Sequence, residues 1–248
     1  MAEDDVTRLK NRFTELAERA ERGGVYTETK FLNMAEQSVL LSMRFPVPCA
    51  LDGGYEGAER RIAVFGSEDT AGYERASSVR CVRISPRSER FAEELTHRDF
   101  LGSVMALGLD RSVIGDIVVN GSEAYLFCLE AAAEHIRSNL KEVRRTSVSV
   151  SEGALPETID DGGETKSVVI ASERLDALIA AVWKLPREEA KALCEKGLVF
   201  VDARQILKGG AEVPDGAAVS VRGRGRFTYL GVERETKKGK LRALVSIP

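Results

Sequence analysis

The apolar positions Val6, Leu9, Phe13, Leu16, Ala17 and Ala20 recur at steps of three and four residues, the spacing of one helix face. They predict an amphipathic helix from about Asp5 to Arg22, ended by Gly23-Gly24. A second helix is expected from about Asn33 to Met43. It stops at Phe45-Pro46-Val47-Pro48, because proline has no N–H with which to continue the ladder. A loop containing Gly53-Gly54-Tyr55 leads into Arg61-Ile62-Ala63-Val64-Phe65, read as a strand. From Ser77 the pattern changes to a compact α+β unit. Val79, Cys81, Val82 and Ile84 predict a strand closed by Pro86. Phe91, Leu95, Phe100, Leu101, Val104 and Met105 predict a helix over Glu89 to Leu107. Ile114 to Val119 and Ala124 to Leu129 flank Asn120-Gly121, a two-residue hairpin signal. Ala131 to Leu140 reads as a further helix and Thr146 to Val150 as a last strand. Strand, helix, hairpin, helix and strand in that order predict a split-βαβ sheet with helices on one face.

Glu152 to Ser167 holds Gly153, Pro156, Asp160, Asp161, Gly162 and Gly163 with little apolar content, which reads as a linker. Beyond it Ser172 is placed as the cap of a helix running to about Trp183. Leu185-Pro186 breaks the chain, and Arg187 to Lys196 forms a second helix ended by Gly197. Strands are expected at Leu198 to Val201, Val219 to Val221, Phe227 to Val232 and Leu241 to Ile247. The whole chain is therefore α+β. It has a helical N-terminal region over residues 1–75, an α+β middle domain over 76–152, a linker over 153–171, and a small two-helix plus β-sheet domain over 172–248.

Composition narrows the function classes. The chain is 43% apolar and 30% charged, ordinary for a soluble globular protein. Its longest wholly apolar run, Ala177 to Trp183, is far below the ~20 residues of a membrane span. Ala2-Glu3-Asp4-Asp5 is acidic where a secretory signal is basic, so a cytoplasmic location is expected, with no membrane partner. Cys49, Cys81, Cys128 and Cys194 form no C-x-x-C pair and do not cluster with His97 or His135. They read as buried, reduced thiols, with no metal and no cofactor.

Charge changes the picture. From Ser172 onward there are 15 Lys and Arg against 10 Asp and Glu, a net of +5, while residues 1–171 carry −8. An acidic body with a basic end suggests an anionic ligand for that end alone. With Leu175, Leu178, Ile179, Val182, Ala190 and Leu193 facing a core, Arg174, Lys184, Arg187, Lys191 and Lys196 are left for a different face. Arg204 and Lys208 follow in the same basic segment. Cations on rigid helices suit phosphate oxygens, and Arg adds a planar bidentate fork. In Val221-Arg222-Gly223-Arg224-Gly225-Arg226, period-2 alternation in a strand would place Arg222, Arg224 and Arg226 on one face. The alternating glycines would let backbone approach a phosphate. These ten cations are the candidate phosphate-binding residues.

Ser172-Glu173-Arg174-Leu175-Asp176, Leu185-Pro186-Arg187 and Glu195-Lys196-Gly197-Leu198-Val199-Phe200-Val201 resemble the RNA-binding module of ribosomal small-subunit protein four. That pattern has S-x-R-L-D, a Ser-Arg pair between the helices, G-x-V-x-V-N-G and a later G-D. Here Pro186 replaces Ser, Asp202-Ala203 replaces Asn-Gly, and Ala217 replaces the Asp after Gly216. Other segments resemble the bacterial YlmH family. They are Gly53-Gly54-Tyr55, Ala58-Glu59-Arg60, His97-Arg98-Asp99-Phe100-Leu101-Gly102, Ile114-Gly115-Asp116-Ile117-Val118-Val119, Val221 to Phe227 and Thr236-Lys237-Lys238-Gly239-Lys240. The resemblance implies an RNA-recognition-like middle domain. It also implies binding to ribosomal RNA and tRNA on the large ribosomal subunit, in ribosome-associated quality control of stalled translation.

Two catalytic readings are set aside. His97-Arg98-Asp99 has the letters of a kinase catalytic loop, but Val104 stands where the Asn is needed and no glycine-rich loop precedes it. Arg174-Leu175-Asp176 resembles the catalytic signature of pseudouridine synthases, but Ala177-Leu178-Ile179 continues a helix and no large domain follows. Asp176 reads instead as a first-turn carboxylate. A binding protein rather than an enzyme is expected, with no small-molecule substrate. The alternatives are an RNA-modifying enzyme, which would need a cofactor pocket in residues 1–155, or a cell-division factor using the same RNA-binding domain.

Overall fold

The computed structural model describes residues 3–156, 164–236 and 239–247. Ala2, the linker residues Asp160, Asp161, Gly162 and Gly163, and the Lys237-Lys238 pair lie outside them. The chain divides into two compact units, Met1–Ile159 and Asp160–Pro248.

The first unit opens with α1 (Glu3–Gly23), which buries Phe13, Ala17 and Ala20. Then come β1 (Thr27–Glu28), α2 (Met34–Leu41), β2 (Cys49–Asp52), β3 (Ile62–Phe65) and α3 (Glu68–Ala71). Asn33 and Glu36 close a capping box at the start of α2, supplying partners to the orphan N–H groups of its first turn. The strands form an antiparallel sheet in the order β1-β3-β2. Phe13, Leu40 and Phe65 lie buried between it and the helices. β1 and β2 have no counterpart in the sequence reading, since two to four residues are too few to show alternation.

The unit continues with β4 (Val79–Pro86), α4 (His97–Met105), β5 (Ile114–Asn120), β6 (Glu123–Leu129), α5 (Glu130–Asn139), β7 (Glu142–Val143) and β8 (Thr146–Glu152). Their sheet runs β5-β6-β4-β8-β7 with every neighbouring pair antiparallel. Phe100, Val104, Ala132, Ala133 and Ile136 from the two helices bury one face of it against Val82, Ile84, Leu126 and Cys128. The helix expected over Glu89 to Leu107 is shorter. Glu89–Phe91 is a single 3-10 turn and Ala92 is extended. The helix begins only after Thr96, whose N–H and hydroxyl both donate to the Asp99 carboxylate, at 2.9 and 2.7 Å. The capping residue overrides the apolar periodicity upstream of it.

The second unit holds β9 (Glu164–Ile170), α6 (Leu175–Trp183), α7 (Arg187–Glu195), β10 (Val199–Val201), β11 (Arg204–Gln205), β12 (Ala218–Val221), β13 (Gly225–Glu235) and β14 (Leu241–Ile247). Its sheet runs β11-β10-β12-β13-β14-β9. Leu175, Leu178, Ile179 and Ala190 of the helices pack on Val199, Val219, Phe227, Tyr229, Ala243 and Val245. The Trp183 ring meets Phe227 edge-on at 5.5 Å. Three expectations are corrected. Residues 164–170 are not linker: they pair along the full length of β14, from Glu164 opposite Ile247 to Ile170 opposite Leu241. An edge strand exposed over most of its length shows little apolar alternation, so composition alone reads it as a spacer. Ser172 does not cap α6. Arg174 holds that position, bridged to Glu212 and with no side-chain cap bond. Of the cysteines read as buried, Cys128 and Cys194 are, Cys81 is half-buried, and Cys49 at the end of edge strand β2 is exposed.

Candidate nucleic-acid interface

The nominated cations all lie in the second unit, and Asp176 organises two of them. Asp176 sits in the first turn of α6 with its side chain 3% exposed. Its backbone N–H donates to the Gly209 carbonyl at 2.8 Å. Arg174 donates from Nε to Oδ1 at 3.3 Å and from Nη2 to Oδ2 at 3.0 Å, and Arg187 donates from Nη2 to Oδ1 at 3.0 Å. Burial pushes the Asp176 pKa up, but the hydrogen bonds from Arg187 and then Arg174 outweigh it and hold the carboxyl below its usual range. Both arginines remain 46% exposed. A buried anion thus fixes two guanidinium groups while leaving each with free N–H donors at the surface.

Neighbouring backbone closes around this triad. A Cβ on Gly209 would stand 3.1 Å from the Asp176 Cβ and 3.4 Å from the Lys191 Cα, and one on Gly210 would stand 3.0 Å from Arg174 Nη2. The loop that carries Lys208 therefore lies beside Arg174 and Lys191. Lys191 also pairs with Glu195 one turn on, at 3.7 Å. The sequence reading saw Asp176 only as a helix-dipole carboxylate. An 11-residue separation from Arg187 carries no periodic signal, and the tight approach of Gly209 and Gly210 is a tertiary fact.

The remaining candidates are scattered. Lys184 ends α6 in the left-handed conformation, φ 53°, and Lys196 caps α7. Arg204 lies on β11. Among the described residues none of Lys184, Lys196, Arg204 and Lys208 has a carboxylate partner. Arg222, Arg224 and Arg226 do not share one strand face as expected. Arg222, Gly223 and Arg224 form the turn between β12 and β13. Gly223 and Gly225 take φ values of 80° and 106°, so the glycines serve the turn's left-handed backbone. Arg224 reaches Glu189 of α7 at 2.5 Å, the Arg222 guanidinium lies over the Phe200 ring at 5.6 Å, and Arg226 alone lies within β13, opposite Ser220.

In the first unit three separated motifs come together. The Asp116 carboxylate accepts from the Tyr55 hydroxyl at 2.9 Å, the Glu59 N–H at 2.6 Å and the Arg60 N–H at 3.1 Å. Arg60 in turn donates to the carbonyls of Ile114, Phe31 and Arg111. Burial, together with the neighbouring Arg60 charge, pushes Arg111 down to about 10. Tyr55 stacks on Phe127 with ring centroids 4.6 Å apart. Phe127, Cys81 and Val118 belong to the sheet face away from α4 and α5, and Phe31, Ile62, Val64 and Tyr55 pack onto that face. The middle of this sheet surface is therefore covered by the chain's own N-terminal segment.

Nothing in either unit assembles a metal centre: among the described residues no group of three or more His, Cys, Asp or Glu could hold an ion. Asp99 of the His97-Arg98-Asp99 segment is spent on its helix cap and on Arg144 at 3.4 Å. No helix of the described residues is long and apolar enough to cross a membrane.

Residues 78–157 match a family model described as "Putative RNA-binding domain in YlmH". Across 86% of this chain and 84% of the relative, the sequence is 29% identical to "Ribosome-associated protein quality control protein P2" of Bacillus subtilis (strain 168). Residues 78–157 thus carry the family's domain, and the likeness to the relative extends over most of the chain. A solved structure, "Cell division protein ylmH from Streptococcus pneumoniae", aligns with 64% of this chain and 97% of that one, with a TM-score of 0.49 at 21% identity. The C-terminal unit is the one whose motifs resemble the module of ribosomal small-subunit protein four.

Proposed function

We propose that this chain is a non-catalytic RNA-binding protein of the ribosome, acting in quality control of stalled translation. Its second unit grips the phosphate backbone of large-subunit ribosomal RNA or tRNA. The observation that carries this reading is the Asp176 anchor, which holds Arg174 and Arg187 in place and half-exposed. Phosphate contacts supply most of the affinity for nucleic acid and little sequence information. Lys184, Lys191, Lys196, Arg204, Lys208, Arg222, Arg224 and Arg226 complete the proposed footprint. The name of the Bacillus subtilis relative supports the quality-control role, which also implies a cytoplasmic location. The strand order of the middle segment supports reading residues 76–152 as an RNA-recognition-like split-βαβ domain, with 1–75 as a separate N-terminal region. Because Tyr55 and its neighbours cover that sheet, the reading assigns RNA contact to the second unit.

Arg187 gives the sharpest test. Hydrogen bonds to a charged group contribute about 1.5–3 kcal/mol, so Arg187→Ala in the full chain should weaken RNA binding roughly ten- to a hundredfold. Arg187→Lys should recover only part of the loss, because charge returns without the planar fork. Melting temperature is measured on the same variants. A lowered melting temperature with unchanged affinity in the folded fraction would reduce Arg187 to a structural partner of Asp176 and remove it from the interface. On a sucrose gradient after induced stalling, the wild-type chain should travel with large subunits. Recovery only in the free fractions at low salt would overturn the ribosomal role.

A further inference from the structure

The helices of the second unit cover one face of its sheet, and the register shows what lies on the other. On β14, Ala243 and Val245 are buried against the helices, so Arg242, Leu244 and Ser246 point the opposite way. Arg242 stands directly opposite Arg234 of β13 and Val169 of β9. Ser246 stands opposite Thr228, and Arg226 opposite Ser220. Phe200 is the cross-strand partner of Ser220, so the Phe200 ring under Arg222 belongs to this face as well. The face thus carries arginines at both ends of β13 with Ser and Thr between them. From Arg226 to Arg234 the strand spans roughly 25 Å at ~3.3 Å per residue.

Two features have no rationale in the fold. Like charges directly opposite across a sheet destabilise it, yet Arg234 and Arg242 face one another. Among the described residues neither has a carboxylate partner, and the buried Arg242 Nε has no hydrogen-bond partner. An anion against this end of the face would offset the like charges of the pair. We infer that this sheet face is a second phosphate-binding track, taking an RNA backbone, with Arg234 and Arg242 as its anchoring pair. Its serines and threonines are neutral donors suited to phosphate and ribose oxygens. The track is separate from the Asp176 cluster on the helix side. The inference rests on the reading of the second unit as an RNA binder.

The test uses the full chain and a short RNA hairpin, with affinity measured across a salt series for wild type and two double variants. Arg234→Gln/Arg242→Gln keeps the stems over the sheet and removes two charges. It should flatten the slope of log K against log salt by about 1.4–1.8, the equivalent of two phosphate contacts. Because it also relieves a repulsion, its melting temperature should hold or rise. Arg174→Ala/Arg187→Ala reports on the helix-side cluster independently. If only the helix-side variant loses affinity and slope, the sheet-face track is overturned while the proposed function stands. If neither variant changes RNA binding, both fall. Polyglutamate serves as an acidic-protein probe: binding lost in the sheet-face variant with RNA binding intact would make the face a protein contact and overturn the RNA assignment.

Discussion

The arginines of the two units differ in what they are bonded to. In the first unit several of them are each tied to carboxylates of their own, while Arg60 and Arg111 are spent on backbone carbonyls. Arg75 lies between Glu28 and Asp52 at 2.5 and 2.6 Å, Arg83 takes Glu123 at 2.5 Å, Arg137 takes Glu152 at 2.8 Å, and Arg144 lies against Asp99 at 3.4 Å. Such pairs contribute little stability where exposed, but they cancel the field that an anionic ligand would sense. In the second unit one buried carboxylate serves two half-exposed arginines, and several cations form no ion pair among the described residues. Counting basic residues does not separate these situations. Pairing does, and the shared Asp176 carboxylate is what supports the proposed RNA contact of the second unit, although the family model described as RNA-binding covers residues 78–157.

The largest effect expected is one that should damage the first unit alone. Gly54 has φ +86°, and a Cβ there would fall 2.6 Å from Phe127 Cδ1 and 2.8 Å from Val79 Cγ1. Gly54→Ala combines left-handed strain with overpacking, about 2–5 kcal/mol together. The chain has a single tryptophan, Trp183, which reports the second unit through its contact with Phe227. Far-UV circular dichroism should therefore show an early transition while the Trp183 fluorescence transition and the RNA affinity hold. A parallel loss of RNA affinity in the range where Trp183 remains native would break the contrast between the units.

Much of this was legible in the sequence, and what was not has identifiable causes. Long periodic segments such as α1 follow from local pattern, and the β5–β6 hairpin is where its turn residues put it, although its two-residue turn is Gly121-Ser122 and not Asn120-Gly121, because Asn120 still pairs with Glu123. The apolar residues of α6 and α7 were read correctly as core, which left Arg174 and Arg187 for the surface. What escaped were relations between distant residues: the shared carboxylate of Asp176, the Tyr55–Asp116 clamp, and the Arg234–Arg242 pairing, which exists only once β13 and β14 are in register. Edge strand β9 escaped because an exposed edge shows little alternation, and the start of α4 because its cap outweighs the upstream periodicity.

A smaller effect separates the units by pH. The Asp176 carboxyl is held below its usual range, so its contribution to folding is present above the unfolded value of ~3.9 and is lost as pH falls through the lower folded value. Denaturation followed at Trp183 should show the second unit losing stability below about pH 4. Asp176→Asn should be less stable at neutral pH by about 1–3 kcal/mol, with a flatter acid limb. An acid limb at Trp183 identical in the variant would mean that the two arginine bonds contribute nothing net to the fold.

The smallest effect tests how far the interface extends. Asp202 and Ala203 form the two-residue turn between β10 and β11 with φ values of 47° and 64°. Positive φ at both positions is the geometry that favours Asn-Gly. Asp202 is fixed there: its N–H donates to the Ala218 carbonyl at 2.9 Å, and its Oδ1 accepts from the Ala218 N–H at 2.9 Å. Asparagine keeps that acceptor and tolerates the left-handed region well, so Asp202→Asn should leave the melting temperature within about a degree, in line with the few tenths of a kcal/mol typical of such surface changes. It removes one negative charge next to Arg204. Two unit charges in water interact by about 1 kcal/mol at 4 Å and about half that at twice the distance. If phosphates pass this turn, affinity should therefore rise roughly two- to fivefold, and the gain should shrink in high salt. An unchanged affinity at low salt would place the turn and Arg204 outside the footprint, leaving the helix-side cluster around Asp176 to account for RNA binding at this end of the second unit.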